Sequence, residues 1–91
     1  MPTILLPRQL AQRASGNTRI DINAENMQVL ITKLCDEHPS LREVLLDGKG
    51  RISSFIGVFI DGRQLGGDTT LSEVTLEPDN SIQLVAAIAG G

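Results

Sequence analysis

The sequence closes on Val85-Ala86-Ala87-Ile88-Ala89-Gly90-Gly91, an apolar run followed by two glycines. The chemistry this segment offers is a carboxylate on Gly91, unhindered because neither of the last two residues carries a Cβ. Such a tail can thread a narrow channel and leave its carbonyl carbon open to attack. A carboxylate is a poor electrophile, because its charge is delocalised and its leaving group would be oxide. It therefore needs another molecule to activate it. On the residues alone two readings stand: Gly91 as a reacting group carried on the arm Ile88, Ala89 and Gly90, or a frayed tail with glycines at its end.

Other residues with chemical potential do not assemble into a site. Cys35 is the single cysteine and His38 the single histidine, so neither a metal cluster nor a Cys-His nucleophile pair finds support. Cys35 falls on an apolar helical stripe, where a free thiol usually acts as a small hydrophobe, and His38 falls where a cation suits exposed helix carbonyls. Asp36, Glu37, Glu43 and Asp47 read either as a face complementary to a basic partner or as solvated surface. Gly48-Lys49-Gly50 and Gly66-Gly67 lack the following Lys-Ser or Lys-Thr of a phosphate loop and read as turns. No catalytic constellation is expected.

Composition narrows the field. The chain has 91 residues, enough for one domain with a single modest core. Its net charge of -3 argues against nucleic-acid phosphates as partners, and two Phe with no Trp or Tyr leave no platform for stacking bases. A lone cysteine makes the cytoplasm the default compartment. The N-terminus has no basic start followed by a long apolar stretch, and no run approaches the ~20 apolar residues needed to span a bilayer, so membrane partners are not expected.

The elements that must position the tail follow from periodicity. Thr3 to Leu6 reads as a short strand ended by Pro7, and Ala14 to Asn17 as a turn into a second strand in which Ile20 and Ile22 alternate with charged residues. These two strands form a hairpin. Asn26 caps a helix whose Met27, Leu30, Ile31, Leu34 and Cys35 share one stripe. Ser40 with Glu43 resembles a capping box, predicting a short helix over Leu41 to Leu46, followed by a loop from Asp47 to Arg51. Phe55 to Ile60 reads as a central strand, Asp61-Gly62 as a hairpin turn, Thr70 to Val74 as a single helical turn and Ser81 to Ile88 as the last strand. The fold class is α+β, a mixed sheet packed on one main helix.

This order is the order of the ubiquitin-like β-grasp fold. Residues 58–74, VFIDGRQLGGDTTLSEV, resemble ubiquitin without a gap through to the closing Gly-Gly. The chain is still more similar to sulfur carriers of the MoaD/ThiS type, above all the CysO-like branch. It shares with them the start Pro2-Thr3-Ile4-Leu5, a short helix with Leu41-Arg42, the strand led by Phe55 and the terminal Ala89-Gly90-Gly91. Where many relatives have a proline shortly before that tripeptide, this chain has Ala86-Ala87. The resemblance implies a β-grasp domain over 1–87, with a sheet of four to five strands, and a flexible tail over 88–91.

The resemblance further implies that the protein binds no cofactor and is no enzyme. It would be the protein substrate of a MoeB/ThiF-type adenylating enzyme that uses ATP and magnesium. Gly91 would be adenylated and converted to a thiocarboxylate, a downstream synthase would accept the sulfur, and a metalloprotease would expose the tail or release product, as in some relatives. Two alternatives remain: a ubiquitin-like modifier conjugated through Gly91, and an interaction module whose chain end is incidental. Against the modifier, ubiquitin has arginines where this chain has Ala87 and Ala89. For the partner surface, alternation puts Ile82 and Leu84 inside and Gln83, Val85 and Ala87 outside, and the likeness to ubiquitin places Phe59 on the same outer face. Phe59, Val85 and Ala87 are thus the expected docking residues. The competing reading has Phe55 to Ile60 buried on both faces.

Overall fold

Alternation of apolar and polar residues in short strands, together with one strongly striped helix, produces a two-layer α+β structure. The computed structural model describes residues 1–66 and 68–86. The chain runs β1 (Thr3–Leu5), α1 (Arg8–Ala11), a 3₁₀ turn (Gln12–Ala14), β2 (Arg19–Asp21), α2 (Met27–Glu37) and α3 (Pro39–Leu45). It continues through β3 (Ile56–Ile60), β4 (Arg63–Gln64), a second 3₁₀ turn (Leu71–Glu73) and β5 (Ser81–Ala86). The five strands form one sheet in the order β2-β1-β5-β3-β4. β1 and β5 run parallel at its centre, and every other pair is antiparallel.

The main helix forms as its sequence dictates. The Asn26 side chain accepts a hydrogen bond from the Val29 N–H at 2.9 Å, satisfying one of the donors left over at a helix start. Met27, Leu30, Ile31, Leu34 and Cys35 are all buried on the resulting stripe. They pack in one cluster with Ile4, Ile82, Leu84 and Val58 from the sheet and Leu41 and Leu45 from α3. Pro39 cannot continue α2, and instead opens α3.

That proline also corrects the expected capping box. α3 starts at Pro39 with His38 as its N-cap, and no side chain caps it. Proline's fixed φ suits the first helical position, where its missing N–H costs nothing. Ser40 therefore lies inside the first turn. At the other end, Leu46 is already extended and bridges to Ile52.

A second difference lies between β1 and β2. They pair antiparallel as expected, but the connection is helical, α1 followed by a 3₁₀ turn, before the turn at Ser15-Gly16. Leu10, Ala11 and Ala14 are buried on it, and Ser15 and Gly16 both take positive φ, of 57° and 83°. Gly16 N–H closes the segment on the Ala11 carbonyl at 2.8 Å.

The hairpin between β3 and β4 turns on Asp61 and Gly62, with φ of 48° and 87°, the left-handed pair that matches strand twist. Asp61 also reaches the start of β5. Its carboxylate accepts from the Ser81 N–H at 2.9 Å and from Asn80 Nδ2 at 2.6 Å, and Asn80 Oδ1 in turn accepts from the Glu77 N–H at 2.6 Å. This network fixes where β5 enters the sheet. Asp61→Ala should lower unfolding free energy by about 1.5–3 kcal/mol, the range for hydrogen bonds to a charged group, as measured by urea denaturation. Asp61→Asn should recover part of that loss, because its amide oxygen still accepts from Ser81.

Candidate functional site

The site is built around the C-terminal half of β5. Ile82 and Leu84 are sealed in the core, at 0% and 1% exposure, which turns Gln83 and Val85 to the opposite face of the sheet. Register then places Gly57 beside Val85 and Phe59 beside Gln83 on β3, with Gln64 of β4 next to Phe59. On the other side Leu5 of β1 is beside Gln83. Leu5, Phe59 and Val85 thus share an outer face, with Gln83 between Leu5 and Phe59 and Gln64 beyond Phe59 on the edge strand. β3 is not buried on both faces: Ile56, Val58 and Ile60 belong to the core, whereas Phe59 does not.

Gly57 gives this face its shape. A Cβ placed there would lie 3.5 Å from Phe59 Cε1, 3.8 Å from Gln64 Nε2 and 3.9 Å from Val85 Cβ. The Phe59 ring, the Gln64 amide and Val85 therefore flank a position without a side chain on this outer face. Phe59 is half-buried, and Val85 is 40% exposed. Ala87 and the arm residues Ile88, Ala89, Gly90 and Gly91 lie outside the described residues.

Sequence reasoning missed two residues near this surface. Leu5 was readable, since a strand that buries Ile4 must turn Leu5 the other way. The apolar run predicts Phe55 as the first residue of a central strand, but it stands in a turn before β3 and is 59% exposed.

The other candidates are accounted for locally. Cys35 is buried, and that burial pushes its thiol pKa up; the nearby Arg42 charge lowers it and Asp36 raises it. A protonated, covered thiol is a poor nucleophile. His38 ends α2, with its N–H donating to the Leu34 carbonyl at 2.9 Å. Asp36 pairs with Arg42 at 3.3 Å, Glu43 with Arg13 at 3.5 Å and Asp47 with Arg51 at 3.7 Å, so these carboxylates are engaged within the chain and do not converge. Among the described residues, no group of three or more His, Cys, Asp or Glu comes together in a way that could hold a metal ion. No helix among them is long and apolar enough to cross a membrane.

Asp47 organises the loop that leads toward β3. Its Oδ1 accepts from the N–H of Lys49 at 2.8 Å and of Arg51 at 3.0 Å. These backbone donors, Arg51 first, hold its pKa below the usual carboxylate range, and the charges of Arg51 and Lys49 add to the effect. Because the folded pKa lies below the unfolded one, the loop's stabilisation is complete above the unfolded value and is lost as pH falls through the folded one. Amide protection factors at Lys49 and Arg51 should therefore drop on acidification through that window. In Asp47→Ala they should be low at neutral pH and change little with acid.

Sequence comparison matches no protein-family model and no curated protein. Solved structures do match. A chain of the Amycolatopsis orientalis BexX/CysO complex superposes with a TM-score of 0.84 at 16% identity, covering 100% of both chains. Mycobacterium tuberculosis CysO, described as an antigen, gives 0.82 at 14% identity, covering 97% of this chain and 100% of that one. SAMP1 from Haloferax volcanii gives 0.77 at 21% identity, covering 99% and 98%. The chain is thus similar along its whole length to CysO and SAMP1, and the fold it shares with them is the ubiquitin-like β-grasp.

Proposed function

We propose that this protein is a sulfur carrier whose Gly91 carboxylate is activated by a partner enzyme and converted to a thiocarboxylate. The observation that carries this reading is the placement of β5. The strand is locked between β1 and β3 through Ile82 and Leu84, it carries Val85 on the same outer face as Phe59, and residues 87–91 follow it in the sequence. A rigid domain with a docking face next to a reactive arm suits a protein that is delivered to other enzymes and performs no catalysis itself. The full-length likeness to CysO, seen elsewhere in complex with BexX, supports the same reading.

The chemistry runs in two displacements. One Gly91 carboxylate oxygen attacks the α-phosphorus of ATP, held with magnesium by a MoeB/ThiF-type partner, and pyrophosphate leaves. The acyl adenylate has AMP as its leaving group. A sulfide or persulfide sulfur then attacks the carbonyl carbon and AMP departs. With a persulfide donor, the resulting acyl disulfide needs a thiol to reduce it, which frees the thiocarboxylate C(=O)S⁻. Glycine at 90 and 91 keeps the carbonyl open to both nucleophiles. A downstream synthase takes the sulfur, and a metalloprotease serves if residues beyond Gly91 must first be removed. Phe59, Val85 and Ala87 bind the adenylating enzyme, where an apolar centre in a polar rim gives a compact docking site.

A second reading, conjugation to protein amines, is favoured by the likeness to SAMP1, whose relatives include a structure described as small archaeal modifier protein 1. Mass spectrometry separates the two. Incubated with the adenylating enzyme, ATP, magnesium and a sulfur donor, the carrier should gain the mass difference of sulfur for oxygen at Gly91. A modifier would appear instead in isopeptide-linked conjugates. Deleting Gly91 should abolish the mass gain while leaving the fold intact, and retained sulfur transfer in that variant would sink the proposal. Val85→Asp should raise the KM for the carrier in adenylation about tenfold with kcat little changed, because it places a charge in the docking centre and leaves the reacting group alone.

A further inference from the structure

Among the described residues, three large apolar side chains stand well clear of the fold: Met1 at 61% exposure, Phe55 at 59% and Val85 at 40%. Two of them meet at one place. Val85 precedes Ala86, the last residue of β5, and Phe55 precedes Ile56, which is paired with Ala86 across the β3–β5 ladder. Antiparallel partners lie at most about 5.5 Å apart at Cα and chain neighbours about 3.8 Å, so Phe55 Cα lies within about 9 Å of Ala86 Cα. Met1 belongs to the opposite end of β5, because β1 runs parallel to it with Thr3 beside Ser81.

Phe55 is held in place as well as exposed. Its N–H donates to Ser53 Oγ at 3.3 Å, and the Ile56 N–H donates to the Ser53 carbonyl at 3.0 Å. Ser53 N–H in turn donates to the Leu45 carbonyl at 2.8 Å, tying the turn to the end of α3. A ring fixed at its base loses little freedom when a partner covers it.

The reach of the arm limits what can cover it. Five residues from 87 to 91 span at most about 17 Å in any conformation. An enzyme that makes an acyl adenylate at Gly91 must close around the last residues to keep water from the activated carbonyl. Its surface must therefore come close to the end of β5, and Phe55 lies only about half the arm's reach from that point.

We propose that Phe55 is a second docking anchor, separate from the Phe59–Val85 face, which seats in an apolar notch at the rim of the adenylating partner's tail channel. This inference rests on the proposed sulfur-carrier function. It assigns the ring to the enzyme that activates Gly91, since that step requires both full insertion of the arm and exclusion of water.

The test is pyrophosphate-release kinetics of the adenylating enzyme, with carrier as the varied substrate. Phe55→Asp and Phe55→Ala are compared with wild type and with Met1→Asp, produced behind a cleavable N-terminal tag, a similarly exposed control at the opposite end of β5. Circular dichroism confirms folding, which a residue so exposed should not disturb. Phe55→Asp should raise KM at least about tenfold and Phe55→Ala several-fold, with kcat kept within about twofold and Met1→Asp like wild type. Unchanged KM in both Phe55 variants, alongside a raised KM for Val85→Asp, would overturn the anchor and leave the carrier function standing. A Phe55→Asp effect on self-association with no effect on KM would overturn it too, assigning the ring to contact between copies. If the enzyme does not adenylate wild-type protein, the function and the anchor fall together.

Discussion

Burial of Ile82 and Leu84 between the two central neighbours of β5 is the constraint on which the rest depends. A strand with partners on both sides and two side chains sealed in the core cannot slip by one residue without turning those side chains to solvent. Each such side chain is worth about 1.5–3 kcal/mol of burial. That cost fixes which residues of the strand face outward. Gln83 and Val85 are presented because Ile82 and Leu84 are not free to be. The parallel pairing with β1 and the carboxylate of Asp61 at the opposite end then set the strand's start. The outer face carrying Gln83 and Val85 is thus a consequence of how Ile82 and Leu84 pack.

The parts of the fold that were readable in advance are those in which local and tertiary preferences agree. In α2 the Asn26 cap, the stripe from Met27 to Cys35 and the stop before Pro39 all point one way, and the helix forms within those limits. Asp61-Gly62 demands left-handed backbone, and the chain supplies it there. The inward and outward alternation of β5 was equally legible, and with it the position of Val85. What failed was the short and ambiguous. α1 and the 3₁₀ turn after it are each about one turn long, and their few apolar residues, Leu10, Ala11 and Ala14, are stabilised by the core they close and not by propensity. At α3 two start signals competed, and the one set by the ring geometry of Pro39 won over the hydrogen bonding of Ser40.

Phe55 shows a different limit. An unbroken apolar run looks the same whether its first residue belongs to the strand or precedes it, because hydropathy carries no information about backbone turns. The Ser53 hydrogen bonds decide the matter, ending the α3–β3 connection one residue later than the run suggests. The proposed carrier arm has the opposite profile. Its chemical promise is written in residue types alone, above all in the two glycines at 90 and 91.

The position of the single cysteine follows from the same economy. A thiocarboxylate or acyl adenylate is open to capture by any accessible thiolate, and a carrier with a reactive cysteine near its own arm would risk acylating itself or a second copy. Cys35 is 1% exposed on the buried stripe of α2, and burial holds its thiol in the protonated form. It packs as a hydrophobe against the core and takes no part in the exchange chemistry proposed at Gly91. The helix that supports the sheet therefore also insulates the chain's own thiol from the group the protein is proposed to carry.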